Sequence, residues 1–310
     1  MKRSFILIIV MGALLSGCES NTLGTIADDS GTDADIAEAR MALDDGNYDK
    51  AISLVEDDYN TASPDMEIAS ILASAYMGKA GLDLTYALEN IGDSERGNFD
   101  TIASALSLVV IDQGYPASAQ LAGSKAVPDA SGAWYITQSS IDELLGYLEQ
   151  AQDVLMVLIH NAEDRGLVPD DDATVQLGLA SALHFIMEVG FVVSDVLDSN
   201  VPINQKAYQE VFPEDTDWTA LLDETTVYLE THPEDLTALK TDLLSMYGAV
   251  QTLTENIGRD EDITEELDGF ICDLLGLPEG SSDQAVTNAI NSYTAQDIAE
   301  FVRDTLLMYE

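Results

Sequence analysis

The chain has 310 residues, with 57 acidic and 12 basic side chains and a formal net charge of −45 at pH 7. Proteins bind nucleic acid largely through lysine and arginine side chains that neutralise phosphates, so this balance argues against a nucleic-acid partner. Hydrophobic residues make up 46% of the chain, which is enough for the core of one or two domains. The acidic residues are spread along the chain, which favours a solvated, salt-adapted surface.

The N-terminus combines a basic start, an apolar stretch and a cysteine. Lys2 and Arg3 precede the uncharged segment 5–15, which has the length of a signal-peptide core and is too short to span a membrane. The next residues, Leu15-Ser16-Gly17-Cys18, resemble the lipobox of bacterial lipoproteins. We therefore expect residues 1–17 to be a signal peptide that is removed, and Cys18 to be the lipidated first residue of the mature protein.

This resemblance implies a lipid anchor. In bacterial lipoproteins the cysteine thiol takes a diacylglycerol, and the amine freed by cleavage is acylated, with chains such as palmitate. One acyl chain binds a membrane only marginally, at about 0.8 kcal/mol per buried methylene, so two or three chains are needed for stable anchoring. Residue 19 is Glu, whereas Asp there favours inner-membrane retention in enteric bacteria. The expected location is therefore the outer membrane, facing the periplasm.

The rest of the chain predicts an all-α fold. Residues 18–33 are polar and predict a tether, and apolar residues recur at helical spacing through a single domain, 34–310. A Gly- and Pro-containing stretch, 113–137, predicts a long loop packed on the helices. Capping signals at Ser63-Pro64, Ser140–Glu143 and Thr294–Asp297 mark helix starts. The predicted helices are 34–45, 48–58, 65–80, 82–91, 99–112, 139–163, 172–197, 217–231, 235–257, 262–275, 282–291 and 295–308.

Residues 36–64 resemble a tetratricopeptide repeat, a helical hairpin with small residues where its helices cross. Two further positions, Ala73 and Tyr76, follow Ala39 and Ala42 by 34 residues, which is the period of this repeat. The resemblance implies a tight turn at Gly46 and packing of Tyr48 against the first helix. Weaker similarity continues through 65–91 and reappears in 217–250. The predicted packing residues are Ala39, Ala42, Gly46, Tyr48, Ala51, Ala73 and Tyr76.

Such repeats stack into surfaces that bind peptides or proteins. A lipobox, an acidic tether and degenerate repeats together also resemble the helical lipoproteins associated with TRAP-type transporters. We therefore expect a protein-binding or scaffolding accessory subunit in the cell envelope, such as one serving a solute transport system. The alternative is a carrier that holds an apolar small molecule among its helices.

Few side chains point to chemistry. The three histidines have no second His or Cys at metal-ligand spacing, and no nucleophile elbow or phosphate-binding glycine loop occurs, so we expect neither a metal, a cofactor nor an enzyme. His184 and Glu188 lie on one face of the most apolar helix. They are interpreted either as a satisfied buried pair or as a polar point in an apolar pocket.

Two acidic clusters and one cysteine are further candidate sites in the sequence. The acidic clusters Asp170-Asp171-Asp172 and Asp260-Glu261-Asp262 could bind divalent cations, although neither has the spacing of an EF-hand. Cys272 lies in an apolar segment and is predicted to be a buried structural cysteine.

Overall fold

The computed structural model describes residues 31–81, 126–128, 130, 132–202, 209–213, 215–256, 271–272, 274–278 and 280–307. Of these residues 77% are helical, which confirms the predicted all-α fold. The predicted signal peptide, most of the tether and the predicted helices 82–91 and 99–112 lie outside the described residues. The segment 262–275 is described only at its end, where residues 271, 272 and 274 are helical.

The described helices agree with the predicted ones within a few residues. The first begins inside the predicted tether, at Thr32. A 3-10 turn, Glu56–Asp58, extends the second. The helices are α1 Thr32–Asp44, α2 Tyr48–Val55, α3 Met66–Lys79, α4 Gln138–Asp164, α5 Asp171–Val196, α6 Trp218–Thr231, α7 Pro233–Asn256, α8 Asp283–Ser292 and α9 Ala295–Leu307.

Two of the predicted caps are shifted. Thr137, and not Ser140, caps α4, because its side chain accepts a hydrogen bond from the Ser140 backbone N–H. Asp65 caps α3 in the same way, and Pro64 precedes that cap. The cap of α9 is confirmed: the Thr294 backbone and hydroxyl donate to the Asp297 carboxylate, and the Asp297 N–H donates back.

The helices pack in an alternating order. α1 contacts α2, α2 contacts α3, and α1 also contacts α3 directly. The same order continues, since α4 packs on α3 and on α5 while α3 touches α5. A hydrogen bond from Gln176 Nε2 to Ser70 Oγ, 3.3 Å, joins α5 to α3. Thus α1, α3 and α5 form one layer, with α2 and α4 packed against it. α7 packs extensively on α5. α6 contacts α5, α7 and α9.

The turn between α1 and α2 requires a glycine. Gly46 has a φ of +69°, a backbone conformation that residues with a Cβ rarely adopt. Its N–H donates to the Leu43 carbonyl at 2.9 Å, and the Asn47 N–H donates to the Ala42 carbonyl at 2.7 Å. These two bonds form a Schellman motif, which satisfies the last carbonyls of α1. The Asn47 side chain then caps α2, so three residues reverse the chain.

α5 lies at the centre of the core. Among the described residues it is the one helix whose length and hydropathy would suit a membrane span, and 78% of its most apolar window is buried inside the protein. It lies close to α7 at Gly178, where an added Cβ would lie 2.1 Å from the Ala249 Cβ. A glycine facing an alanine lets the two helix axes approach closely.

Part of the predicted loop 113–137 is a small sheet, and there the loop prediction was wrong. β1 (Ala126–Pro128) pairs antiparallel with β2 (Trp134–Ile136), and β2 pairs antiparallel with β3 (Val201–Pro202). The hydroxyl of Tyr135, in β2, donates a hydrogen bond to Oε2 of Glu210 at 2.6 Å. Glu210 follows β3 in the chain. Strands of two or three residues are too short to show an alternating pattern in the sequence. In addition, β3 is separated from β2 in the chain by the two helices α4 and α5. Residues 113–125 lie outside the described residues.

The contact between α5 and α7 predicts opposite effects for two glycines. Gly178→Ala places a methyl group against Ala249, and overpacking typically costs about 1–3 kcal/mol. Gly248→Ala, in α7, meets nothing within 4 Å and should stabilise by about 0.5–1 kcal/mol because a helical glycine is entropically unfavourable. Urea unfolding measures both changes. An equal gain in both variants would contradict the close approach.

Candidate functional site

The apolar core contains a cluster of polar side chains, which we call the polar core. It joins three helices: Gln152 comes from α4, Ser181, His184 and Glu188 from α5, and Asp242 from α7. All five are buried, and Asp242 is only 1% exposed. Moving an ionised carboxylate from water into a protein core costs several kcal/mol unless it is paired and hydrogen-bonded. The contacts of Asp242 therefore decide whether this core is stable.

Asp242 has hydrogen-bonding partners on two other helices, α5 and α4. Its Oδ2 lies 2.7 Å from His184 Nδ1, and its Oδ1 accepts a hydrogen bond from Gln152 Nε2 at 2.6 Å. Gln152 Nε2 also donates to Ser181 Oγ at 2.9 Å. An amide NH₂ has two hydrogens, so these two bonds use both donors. The network thus connects α4, α5 and α7 through one carboxylate.

His184 is held on one side only. An ionised Asp242 accepts the proton of Nδ1, while the buried Nε2 has no hydrogen-bond partner among the residues that the structure describes. Burial by itself lowers the pKa of His184. The hydrogen bond to Asp242, with the charges of Asp242, Glu188 and Glu149, outweighs burial and raises that pKa above its usual value.

Glu188 lies one turn after His184 and makes no hydrogen bond with any residue that the structure describes. Burial raises its pKa to about 7; the nearby His184 lowers it, and Asp235, Asp242 and Glu149 raise it further. The predicted pair of His184 and Glu188 is therefore present as neighbours that interact through charge. The hydrogen-bonding partner of His184 comes instead from α7.

More acidic groups lie around the polar core. Asp235 on α7 interacts with the Tyr228 hydroxyl of α6, and burial followed by the charge of Asp235 raises the pKa of Tyr228. Burial also raises the pKa of Asp235, against the hydrogen bond from Tyr228. The Tyr228 ring stacks on His232 with centroids 4.1 Å apart. These contacts extend the polar core to α6.

The predicted repeat residues lie at the interfaces of α1, α2 and α3. Ala39, Ala51 and Ala73 are fully buried, and Ala42 and Tyr76 are nearly so. The Tyr48 ring lies against α3. An added Cβ on Gly78 would lie 2.3 Å from the Tyr48 ring, so Gly78 leaves the space that this ring occupies.

Other predicted sites have structural roles or lie elsewhere. Asp170 caps α5 by accepting from the Ala173 N–H, and the other two acidic residues of its cluster occupy the first turn, where the helix dipole favours negative charge. Cys272 is buried, as predicted. Within the described part of the chain, no three His, Cys, Asp or Glu side chains are grouped to hold a metal ion. Cys18, the lipobox and Asp260-Glu261-Asp262 lie outside it.

Sequence reasoning missed Asp242, Gln152 and Gly78. Asp242 had a signal: it lies within the apolar stripe of α7 formed by Leu239, Leu243 and Met246, all buried. An acidic residue on such a stripe must be paired in the core. Gln152 and Gly78 had no comparable signal, because an uncharged residue in a helix does not by itself require a buried partner.

Comparison with protein-family models, with curated proteins and with solved structures found no match to this chain.

Removing one member of the buried pair tests the geometry. His184→Ala leaves the Asp242 carboxylate buried without its cationic partner, and breaking a buried pair in this way typically costs about 3–5 kcal/mol. His160→Ala, an exposed histidine on α4, is the matched control and should change stability by less than about 0.5 kcal/mol. Thermal or urea unfolding measures both. Equal stability of the two variants would contradict the pairing.

Proposed function

We propose that this chain is a lipid-anchored protein of the cell envelope whose stacked helical hairpins bind a partner protein. The observation that carries the binding role is the alternation of contacts among α1, α2 and α3, continued by α4 and α5. This arrangement is typical of helical repeats, whose layered helices present an extended surface to a partner. The anchor is supported by the basic start, apolar segment and lipobox of residues 1–18.

Ion pairs support a defined geometry for the first three helices. Each of three basic residues joins a different pair of them: Lys50–Glu38 links α2 to α1 at 2.7 Å, Arg40–Glu67 links α1 to α3 at 2.8 Å, and Lys79–Asp49 links α3 to α2 at 2.7 Å. Exposed ion pairs contribute only about 0–1 kcal/mol each. Their contribution is orientation, which a binding surface needs.

The α1–α3 surface also exposes apolar side chains. Met41 on α1 is 67% exposed and Met66 at the start of α3 is 53% exposed. Each adjoins in sequence one member of the Arg40–Glu67 ion pair. Methionine is flexible and polarisable, and it is common on surfaces that adapt to partner proteins. We place the partner surface here.

The wider role follows from the same resemblance. Helical lipoproteins associated with TRAP-type transporters combine an anchor with a helical-repeat domain, and they are thought to serve a solute-binding partner. We propose an accessory, scaffolding role of this kind in solute transport, at the outer membrane facing the periplasm. No catalytic step is part of this proposal.

The anchor is tested by Cys18→Ala. Without the thiol no diacylglycerol can be attached, so the variant should remain an unprocessed precursor that takes up no labelled fatty acid. The wild-type chain should take up label and fractionate with membranes. Labelling of the variant, or an unlabelled wild-type protein, would contradict lipidation at this residue.

The partner surface is tested by Met41→Asp with Met66→Asp. Both side chains are exposed, so the fold should persist, while the added charges should abolish chemical cross-linking to the partner in the native envelope. Val227→Asp, on α6 at 58% exposure, is the matched control and should keep the cross-linked species. Loss in both variants, or retention in both, would contradict this surface. A stoichiometric lipid in place of a protein would favour the carrier alternative.

A further inference from the structure

The polar core collects more ionisable groups than its hydrogen bonds neutralise. His184 is the one basic side chain among the groups that act on Glu188, and the acidic groups come from α4, α5 and α7. Farther out, Glu234 and His232 act on Asp235. Glu188 is on α5 with His184, and Asp242 and Asp235 are on α7. The remaining groups are Glu149 on α4, Asp195 on α5 and the Tyr228 phenol on α6.

The His184–Asp242 pair carries no net charge while it holds its shared titratable proton, and burial, which raises the pKa of Asp242, disfavours the carboxylate without that proton. With His184 protonated and Asp242 ionised, the 2.7 Å pair is balanced, and Glu188 must then carry its proton, since no described residue donates a hydrogen bond to its carboxylate. Any loss of a proton from His184 or Glu188 places an uncompensated negative charge between α5 and α7. A buried charge without a partner destabilises the folded state.

We propose that the polar core is a pH-sensitive switch: protons bound at His184 and Glu188 hold α7 and α6 against α5, and loss of those protons as the pH rises loosens this contact. The switch is independent of the proposed partner binding. The side chains that bind the protons belong to the central helices, which are distant in the chain from α1–α3. Their protonation affects the packing of α6 and α7 on α5.

The direction of the effect follows from proton linkage. The pKa of Glu188 is raised from its ordinary value of 4.5 to about 7, and that of His184 is raised by its pairing with Asp242. The folded state therefore binds these protons more tightly than the unfolded state. The resulting stability is fully present at acidic pH, below the unfolded pKa values, and is lost as the pH rises through the folded ones.

Surface charge gives a pH effect of its own, which salt can separate. Repulsion among exposed carboxylates is screened when the Debye length falls to about 3 Å in about 1 M salt. Buried groups are screened much less. A dependence on pH that persists in high salt therefore belongs to the polar core.

The test is urea unfolding of the full-length lipidated protein in detergent, in about 1 M NaCl, from pH 5 to pH 8. For the wild-type protein the unfolding equilibrium constant should rise on the order of a hundredfold, since each pKa unit corresponds to a factor of ten. Glu188→Gln, which keeps the neutral shape, should lose most of that rise. Glu149→Gln removes an exposed carboxylate that acts on the same histidine and should keep it.

A local measurement separates a switch from a general loss of stability. Hydrogen exchange, corrected for the intrinsic effect of pH on exchange, should show α5, α6 and α7 losing protection between pH 5 and pH 8 while α1–α3 keep theirs. Infrared spectra of the wild-type protein should show a protonated carboxyl band that disappears near pH 7. The same pH dependence in Glu188→Gln as in the wild type, no such band, or equal loss of protection in α1–α3 would overturn the proposal.

Discussion

A single carboxylate, Asp242, constrains how the central helices can pack. It is 1% exposed, and an ion at such a position needs partners that offset a desolvation cost of several kcal/mol. Its two oxygens are used by different helices, one by His184 of α5 and the other by Gln152 of α4. A shift of α7 along α5 by one turn, about 5.4 Å, would break the 2.7 Å contact with His184. We interpret the polar core as the feature that fixes the register of these helices.

Close packing in both halves of the helical array depends on glycines. Gly178 leaves space for Ala249 between α5 and α7, and Gly78 leaves space for the Tyr48 ring between α3 and α2. In both places the glycine contributes by having no Cβ, so the partner can approach the helix backbone. The two halves of the array therefore use the same device. They differ in their polar contacts: exposed ion pairs join α1, α2 and α3, whereas a buried network joins α4, α5 and α7.

The high negative charge connects the surface to the core. A chain with a formal charge of −45 provides a negative potential around its interior, and such a potential favours bound protons and a charged histidine. The groups that raise the pKa of Glu188 include Asp235 and Glu149, which lie toward the surface of α7 and α4. The few basic residues of α1–α3 join these helices in ion pairs, and the same helices expose two methionines, Met41 and Met66.

The sequence by itself determined the helices, because helical periodicity and capping are local properties: the Thr294–Asp297 cap and the glycine turn at Gly46 were readable from a few adjacent residues. It also singled out His184 and Glu188 as polar residues on an apolar helix. It could not supply Asp242 as the partner of His184, nor the pairing of β3 with β2, because these contacts join segments separated by a helix or more. Only the tertiary structure decided them, since which distant segments meet depends on how apolar faces from the whole chain pack together.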